Sequence, residues 1–86
     1  MYYVYLLKSV KDGKIYTGYT ADLKRRVRDH FLQNVHTTHR MGTVKLIYYE
    51  AFDNKEDARE RESYLKTTKG KRTVKLMLKH TLAPIV

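Results

Sequence analysis

Three places in this 86-residue chain put reactive side chains where ordinary element-building does not require them. The first is a pair of tyrosines, Tyr5 and Tyr16, on neighbouring apolar runs, with Gly18 two residues beyond Tyr16. A glycine inside a strand weakens it. It marks either a bulge or the close approach of a ligand or another backbone. The second is Arg26 with His30, four residues apart and so on one helical face. A guanidinium offers parallel donors to a phosphate, and a solvated basic face explains the same spacing. The third is Glu62, the middle member of the stripe Ala58, Glu62, Leu65. A carboxylate turned toward a core needs a counter-charge or a metal. Mg²⁺ accepts one or two protein carboxylates and keeps waters as its other ligands. The alternative is a surface Glu62–Lys66 pair, worth roughly 0.2–0.5 kcal/mol. His36-Thr37-Thr38-His39 supplies two ring nitrogens but no third ligand, so no zinc site is expected there.

The elements that must hold these groups follow from periodicity and turn residues. Tyr3 to Ser9 is rich in Tyr, Val and Leu and reads as a strand. Lys11-Asp12-Gly13-Lys14 is a hairpin turn, and Ile15 to Tyr19 returns antiparallel to the first strand. Thr20 or Asp22 caps a helix from about Leu23, with Leu23, Val27 and Phe31 as its apolar stripe and an end near Gln33 or Asn34. Val35 to Gly42 reads as a polar, basic loop. Val44 to Phe52 is a third strand. Its two alternating sets, Val44/Leu46/Tyr48 and Lys45/Ile47/Tyr49, do not separate cleanly into apolar and polar, as in a strand covered on both sides. Asp53 or Asn54 caps a second helix to about Lys66. Thr67-Thr68-Lys69-Gly70 interrupts it, and a third helix runs from about Lys71 to Lys79 with Val74, Met77 and Leu78 on one side. Thr81 to Val86 reads as irregular. The order strand-strand-helix-strand-helix-helix gives an α+β domain: a three-stranded antiparallel sheet with flanking helices. At this length one domain spanning 1–86 is expected.

Charge narrows the partners. Eighteen Lys and Arg against nine acidic residues leave a formal +9, which points to a polyanion, nucleic acid first, held by counterion release. No run approaches the ~20 apolar residues a bilayer span needs, and no basic amphipathic face suits an anionic membrane. The chain has no cysteine, so disulfides and thiolate metal sites are excluded. These features fit a cytoplasmic protein.

In order, these residues resemble the GIY-YIG endonuclease superfamily, specifically its small stand-alone bacterial members. The resemblance runs from Tyr3 to about Leu78. Its half-motifs are Val4-Tyr5-Leu6 and Tyr16-Thr17-Gly18, followed by Tyr19 through Arg26 to His30, then Glu62-Ser63-Tyr64-Leu65-Lys66 and the basic turn Gly70-Lys71-Arg72. Val4, Leu6 and Thr17 depart from the motif's name, while the tyrosines and Gly18 keep its pattern.

The resemblance implies a divalent-metal-dependent endonuclease that hydrolyses phosphodiester bonds in DNA, tolerant of structure and weak in sequence preference, with a role in repair or recombination. It implies one Mg²⁺ or Mn²⁺ on Glu62, a phosphate on Arg26, and Tyr5, Tyr16 and His30 as the remaining site residues. Tyr16 is the candidate general base. A free phenol titrates near ~10, so such a base needs help from nearby cations. His30 is the other candidate, with Tyr16 then positioning the water. Lys24, Arg28, Arg40, Lys69, Lys71 and Arg72 would hold the phosphate backbone without reading bases. The competing expectation is a nucleic-acid-binding module that keeps the fold and does not cut.

Overall fold

The computed structural model describes residues 1–32 and 41–83. Its elements are β1 (Tyr2–Ser9), β2 (Ile15–Thr20), α1 (Leu23–Phe31), β3 (Val44–Phe52), α2 (Lys55–Leu65) and α3 (Thr68–Met77). This is the expected order and class. The strands form one antiparallel sheet in the order β2-β1-β3. The loop read over Val35 to Gly42 falls largely outside the described residues, as do Arg40 and the His36/His39 pair.

The central strand explains its own composition. Val4, Tyr5, Leu6 and Leu7 are all buried, because β1 has a partner on each edge and a layer on each face. Side chains alternate across a strand, so the four divide two and two. Val4 and Leu6 pack with Ala58, Leu65 and Val74 from α2 and α3. Tyr5 and Leu7 pack with Val44 and with Leu23 of α1. The sheet therefore separates α1 on one face from α2 and α3 on the other. Fully burying each leucine contributes roughly 1.5–3 kcal/mol.

The imperfect alternation of β3 has a local cause. Leu6 pairs with Tyr48 but Leu7 pairs with Leu46, so Ile47 is an extra residue in a β-bulge. Leu46 consequently packs beside α1, while Ile47 and Tyr48 both pack on the α2–α3 side.

Short polar locks join the elements. The hairpin closes with Ser9 N donating to Lys14 O at 2.8 Å. Asp22 caps α1, its carboxylate accepting from Arg25 N at 3.1 Å. Thr20, at the end of β2, accepts from Asp22 N at 3.1 Å. With only two residues between β2 and α1, these bonds fix where the first turn of α1 starts. Asn54 caps α2 by accepting from Glu56 N at 2.8 Å.

Two helical expectations need correction. Phe31 does not continue the inward stripe of α1; it is 55% exposed and His30 is fully buried instead. The helix turns Leu23, Val27 and His30 inward, and His30 finds a polar partner there, which Phe31 does not need. Thr67 to Gly70 is also less of an interruption than expected, since α3 already begins at Thr68. Thr67 caps it, its hydroxyl accepting from Gly70 N at 3.0 Å. Gly70 is buried in the first turn of α3, where a Cβ would collide with the Tyr64 carbonyl. That glycine lets the start of α3 lie against the end of α2.

A second lock ties α2 to β3. Arg61 donates to both oxygens of Glu50, at 2.8 and 3.0 Å, and Tyr48 donates to Glu50 Oε2 at 2.6 Å. Partial burial pushes the Glu50 carboxyl up, but the bonds from Arg61 and Tyr48 outweigh it and leave it below the usual range. Burial and the Glu50 contact push Tyr48 up to about 12.

Candidate active site

Four of the five expected site residues converge on the α1 face of the sheet. Tyr5 comes from the middle of β1, Tyr16 from β2, and Arg26 and His30 from α1. The three rings form a triangle: Tyr5 to Tyr16 is 6.3 Å between centroids, Tyr5 to His30 is 5.6 Å, and Tyr16 to His30 is 5.4 Å. Their planes are inclined by 51–61°, the tilted geometry that aromatic quadrupoles favour. The Tyr5 hydroxyl lies 2.8 Å from His30 Nε2.

Burial pushes the Tyr5 phenol up to about 12, although the Arg26 hydrogen bond opposes the shift. Tyr5 is therefore protonated at neutral pH. Burial, then the positive charge of Arg26, push His30 below the ordinary imidazole value, against the smaller pull of Asp29. The Tyr5 hydroxyl and His30 Nε2 share one hydrogen bond, and the His30 tautomer sets which of them donates. The Arg26 guanidinium interacts with Tyr5. That contact is the main reason its guanidinium titrates even higher than an ordinary arginine.

Gly18 makes this packing possible. It stands directly opposite Tyr5 across the β1–β2 ladder, and a Cβ there would overlap the Tyr5 ring and hydroxyl. Of the two readings of an interior glycine, close approach holds here, and the approaching group is the Tyr5 side chain.

Glu62 is placed differently. It lies on α2, in the stripe whose neighbours Ala58 and Leu65 pack on Val4 and Leu6. It therefore belongs to the layer across the sheet from the ring cluster. Its side chain is 18% exposed, and Oε2 accepts from Lys66 Nζ at 3.0 Å. The surface-pair reading and the core-stripe reading of Glu62 are thus both realised. β2 is an edge strand, and α2 packs against it. Tyr16 and Lys66 border a common groove at that edge.

Among the described residues, no three His, Cys, Asp or Glu side chains gather as a metal-binding group. Glu62 could offer a divalent ion one carboxylate oxygen, Oε1, beside the Lys66 bond. A single hard oxygen donor fits Mg²⁺ or Mn²⁺, which fill their other positions with water and substrate oxygens. It does not fit zinc.

The expected backbone-binding residues do not form one surface. Lys24 and Arg28 are exposed on α1, whereas Lys69, Lys71 and Arg72 are exposed on α3, across the sheet. Sequence reasoning missed the Glu50–Arg61–Tyr48 lock. The two-residue spacing of Tyr48 and Glu50 on one strand face was its visible trace.

Residues 1–75 match the family model described as the GIY-YIG catalytic domain. The chain belongs to the GIY-YIG family. A UPF0213 protein of Clostridium perfringens is 45% identical over 67 residues, covering 77% of this chain and 71% of its own. A UPF0213 protein of Staphylococcus saprophyticus is 38% identical over 77 residues, covering 88% and 93%. The solution NMR structure of a UPF0213 protein from Bacillus halodurans superposes with a TM-score of 0.55 at 30% identity, over 98% of this chain and 89% of that one. The GIY-YIG domain places the chain in a nuclease-type superfamily whose enzymes generally use a divalent metal, and it suggests nucleic-acid binding. No helix among the described residues is long and apolar enough to cross a membrane.

Proposed function

We propose that residues 1–86 are one GIY-YIG nuclease domain that hydrolyses phosphodiester bonds in DNA with little sequence preference, with a role in repair or recombination in the cytoplasm. The observation that carries this reading is the Tyr5–His30 hydrogen bond with the Tyr16 ring packed against both. It divides the cluster into a buried brace and an outward group. His30 is fully buried and its Nε2 is taken by Tyr5, and Tyr5 holds its proton tightly. Tyr16 is only partly covered and borders the open groove. Tyr16 is therefore the group that takes the proton from the attacking water, and Tyr5 and His30 are positioning residues. Arg26 keeps its charge at every working pH and stabilises the equatorial oxygens of the phosphate.

Glu62 would hold the Mg²⁺ or Mn²⁺. Such an ion, when bound, polarises the phosphate and stabilises the leaving oxygen. The scissile phosphate would then lie between Tyr16 on the edge strand β2 and α2, which packs against that strand. The Glu62–Lys66 ion pair favours a second reading, in which the carboxylate is neutralised inside the protein and the domain binds without cutting.

Incubation with plasmid and branched DNA separates the two. Wild type with Mg²⁺ or Mn²⁺ should cleave, and chelator should stop it. Glu62→Ala and Arg26→Ala should lose cleavage, with Glu62→Ala still binding. Equal activity in all three proteins would expose a contaminant. Salt-sensitive binding without cleavage by wild type would leave the binding module.

A further inference from the structure

We propose that the groove between the β1–β2 hairpin and α3 is the track for an unpaired nucleic-acid strand leading to Tyr16. The inference deepens the nuclease reading and rests on it for the direction in which the strand runs. Lys8, Lys14, Lys66, Lys71, Lys75 and Lys79 line this groove. Only Lys66 has an acidic partner among the described residues. Lys71 and Lys75 are also an i,i+4 like-charge pair on α3, an arrangement that is unfavourable in the free protein. Such a local violation is expected where a ligand supplies the missing charge. Helical spacing puts Lys71 and Lys75 on one face of α3, but Lys8 and Lys14 come from the hairpin and Lys66 from the end of α2, so periodicity alone does not account for the convergence.

The rest of the surface chooses the occupant. Between the lysines the lining is mainly apolar, with Ile15 from the hairpin, Val74 from α3 and Leu82 after it. A duplex presents its phosphates and sugars outward and buries its base faces. An unpaired strand offers phosphates to the lysines and apolar sugar and base faces to the floor. Tyr16 borders this groove from the edge strand β2 while its ring packs in the cluster on the α1 face, so a strand lying here meets the proposed base where it crosses the β2 edge.

The test is binding by fluorescence anisotropy, with a labelled 15-nucleotide single strand and a hairpin duplex of the same length as probes. Lys75→Ala/Lys79→Ala removes two exposed groove charges, and Arg25→Ala/Lys55→Ala removes two exposed charges elsewhere. The groove variant should bind the single strand more weakly. Its salt slope should fall by about 1.4, at ~0.7 for each phosphate that is no longer neutralised. The control should keep the wild-type slope. Ile15→Ser should weaken the single strand and spare the duplex. Equal slopes in the two double variants would overturn the track. Equal weakening on single strand and duplex would overturn the unpaired strand. Cleavage is read separately: a wild type that cuts while the groove variant binds normally rejects the groove and keeps the nuclease. Groove-dependent binding without cleavage does the reverse.

Discussion

Gly18 and Tyr5 face each other across the β1–β2 ladder with no room for a methyl group between them. The aromatic cluster thus depends on a position that contributes no side chain to it. Gly18→Ala should push the Tyr5 ring out of line and break its hydrogen bond with His30. The expected cost is about 1–3 kcal/mol of stability from overpacking, together with loss of cleavage. Thermal unfolding and the plasmid assay check both. A variant with wild-type melting and wild-type activity would show that the close approach has no functional role.

Tyr16 and His30 should separate in kinetics. Tyr16→Phe should lower kcat by ~10²–10⁴, the usual range when a general base is removed, with little change in melting temperature. His30→Leu leaves the buried Tyr5 hydroxyl without this hydrogen-bond partner, which costs about 1–3 kcal/mol. Its residual activity should keep the wild-type pH profile, whereas Tyr16→Phe should lose the limb due to the base. Full activity in Tyr16→Phe would transfer the role elsewhere.

His30 also predicts an acid sensitivity. Its folded-state value lies below the ordinary imidazole value, first from burial and then from Arg26. The unfolded chain therefore binds the proton more readily, and stability rises with pH where it does so. The contribution is fully present above about pH 6.5 and is lost as pH falls toward the folded value. Melting temperature should drop by a few degrees from pH 7 to pH 5, above the range where Glu50 titrates. His30→Leu should flatten that segment, and an unchanged slope in the variant would remove His30 as the cause.

Gly70→Ala tests the α2–α3 junction. Alanine usually favours a helix over glycine by up to about 1 kcal/mol. Here its methyl meets the Tyr64 carbonyl, a backbone atom that cannot swing aside. Denaturant unfolding should show net destabilisation despite the better propensity. A stabilised variant would mean that the helices separate at no cost.

Much of the framework was legible because its causes lie within a few residues. Turn residues at Asp12-Gly13, cap candidates Thr20 or Asp22 and Asp53 or Asn54, and the apolar run of β1 each act on their immediate neighbours; the structure chose Asp22 and Asn54. The order of elements and the antiparallel hairpin followed from them, and the hairpin already set Tyr5 close to Tyr16. The spacing of Arg26 and His30 marked one helical face, but not which of its neighbours would be buried. Phe31 is the more apolar residue, yet His30 is inside because Tyr5 supplies a hydrogen bond there.

The amino-acid order alone determined the order of strands and helices and the residue types available for phosphate chemistry, since those depend on local backbone preference and short-range periodicity. Tertiary structure alone decided which face each group occupies. The bulge at Ile47 sends Tyr48 to the α2 side, the sheet divides Glu62 from the ring cluster, and lysines distant in sequence line one groove. Each of these arises from contacts between segments far apart along the chain, where local preference exerts no influence.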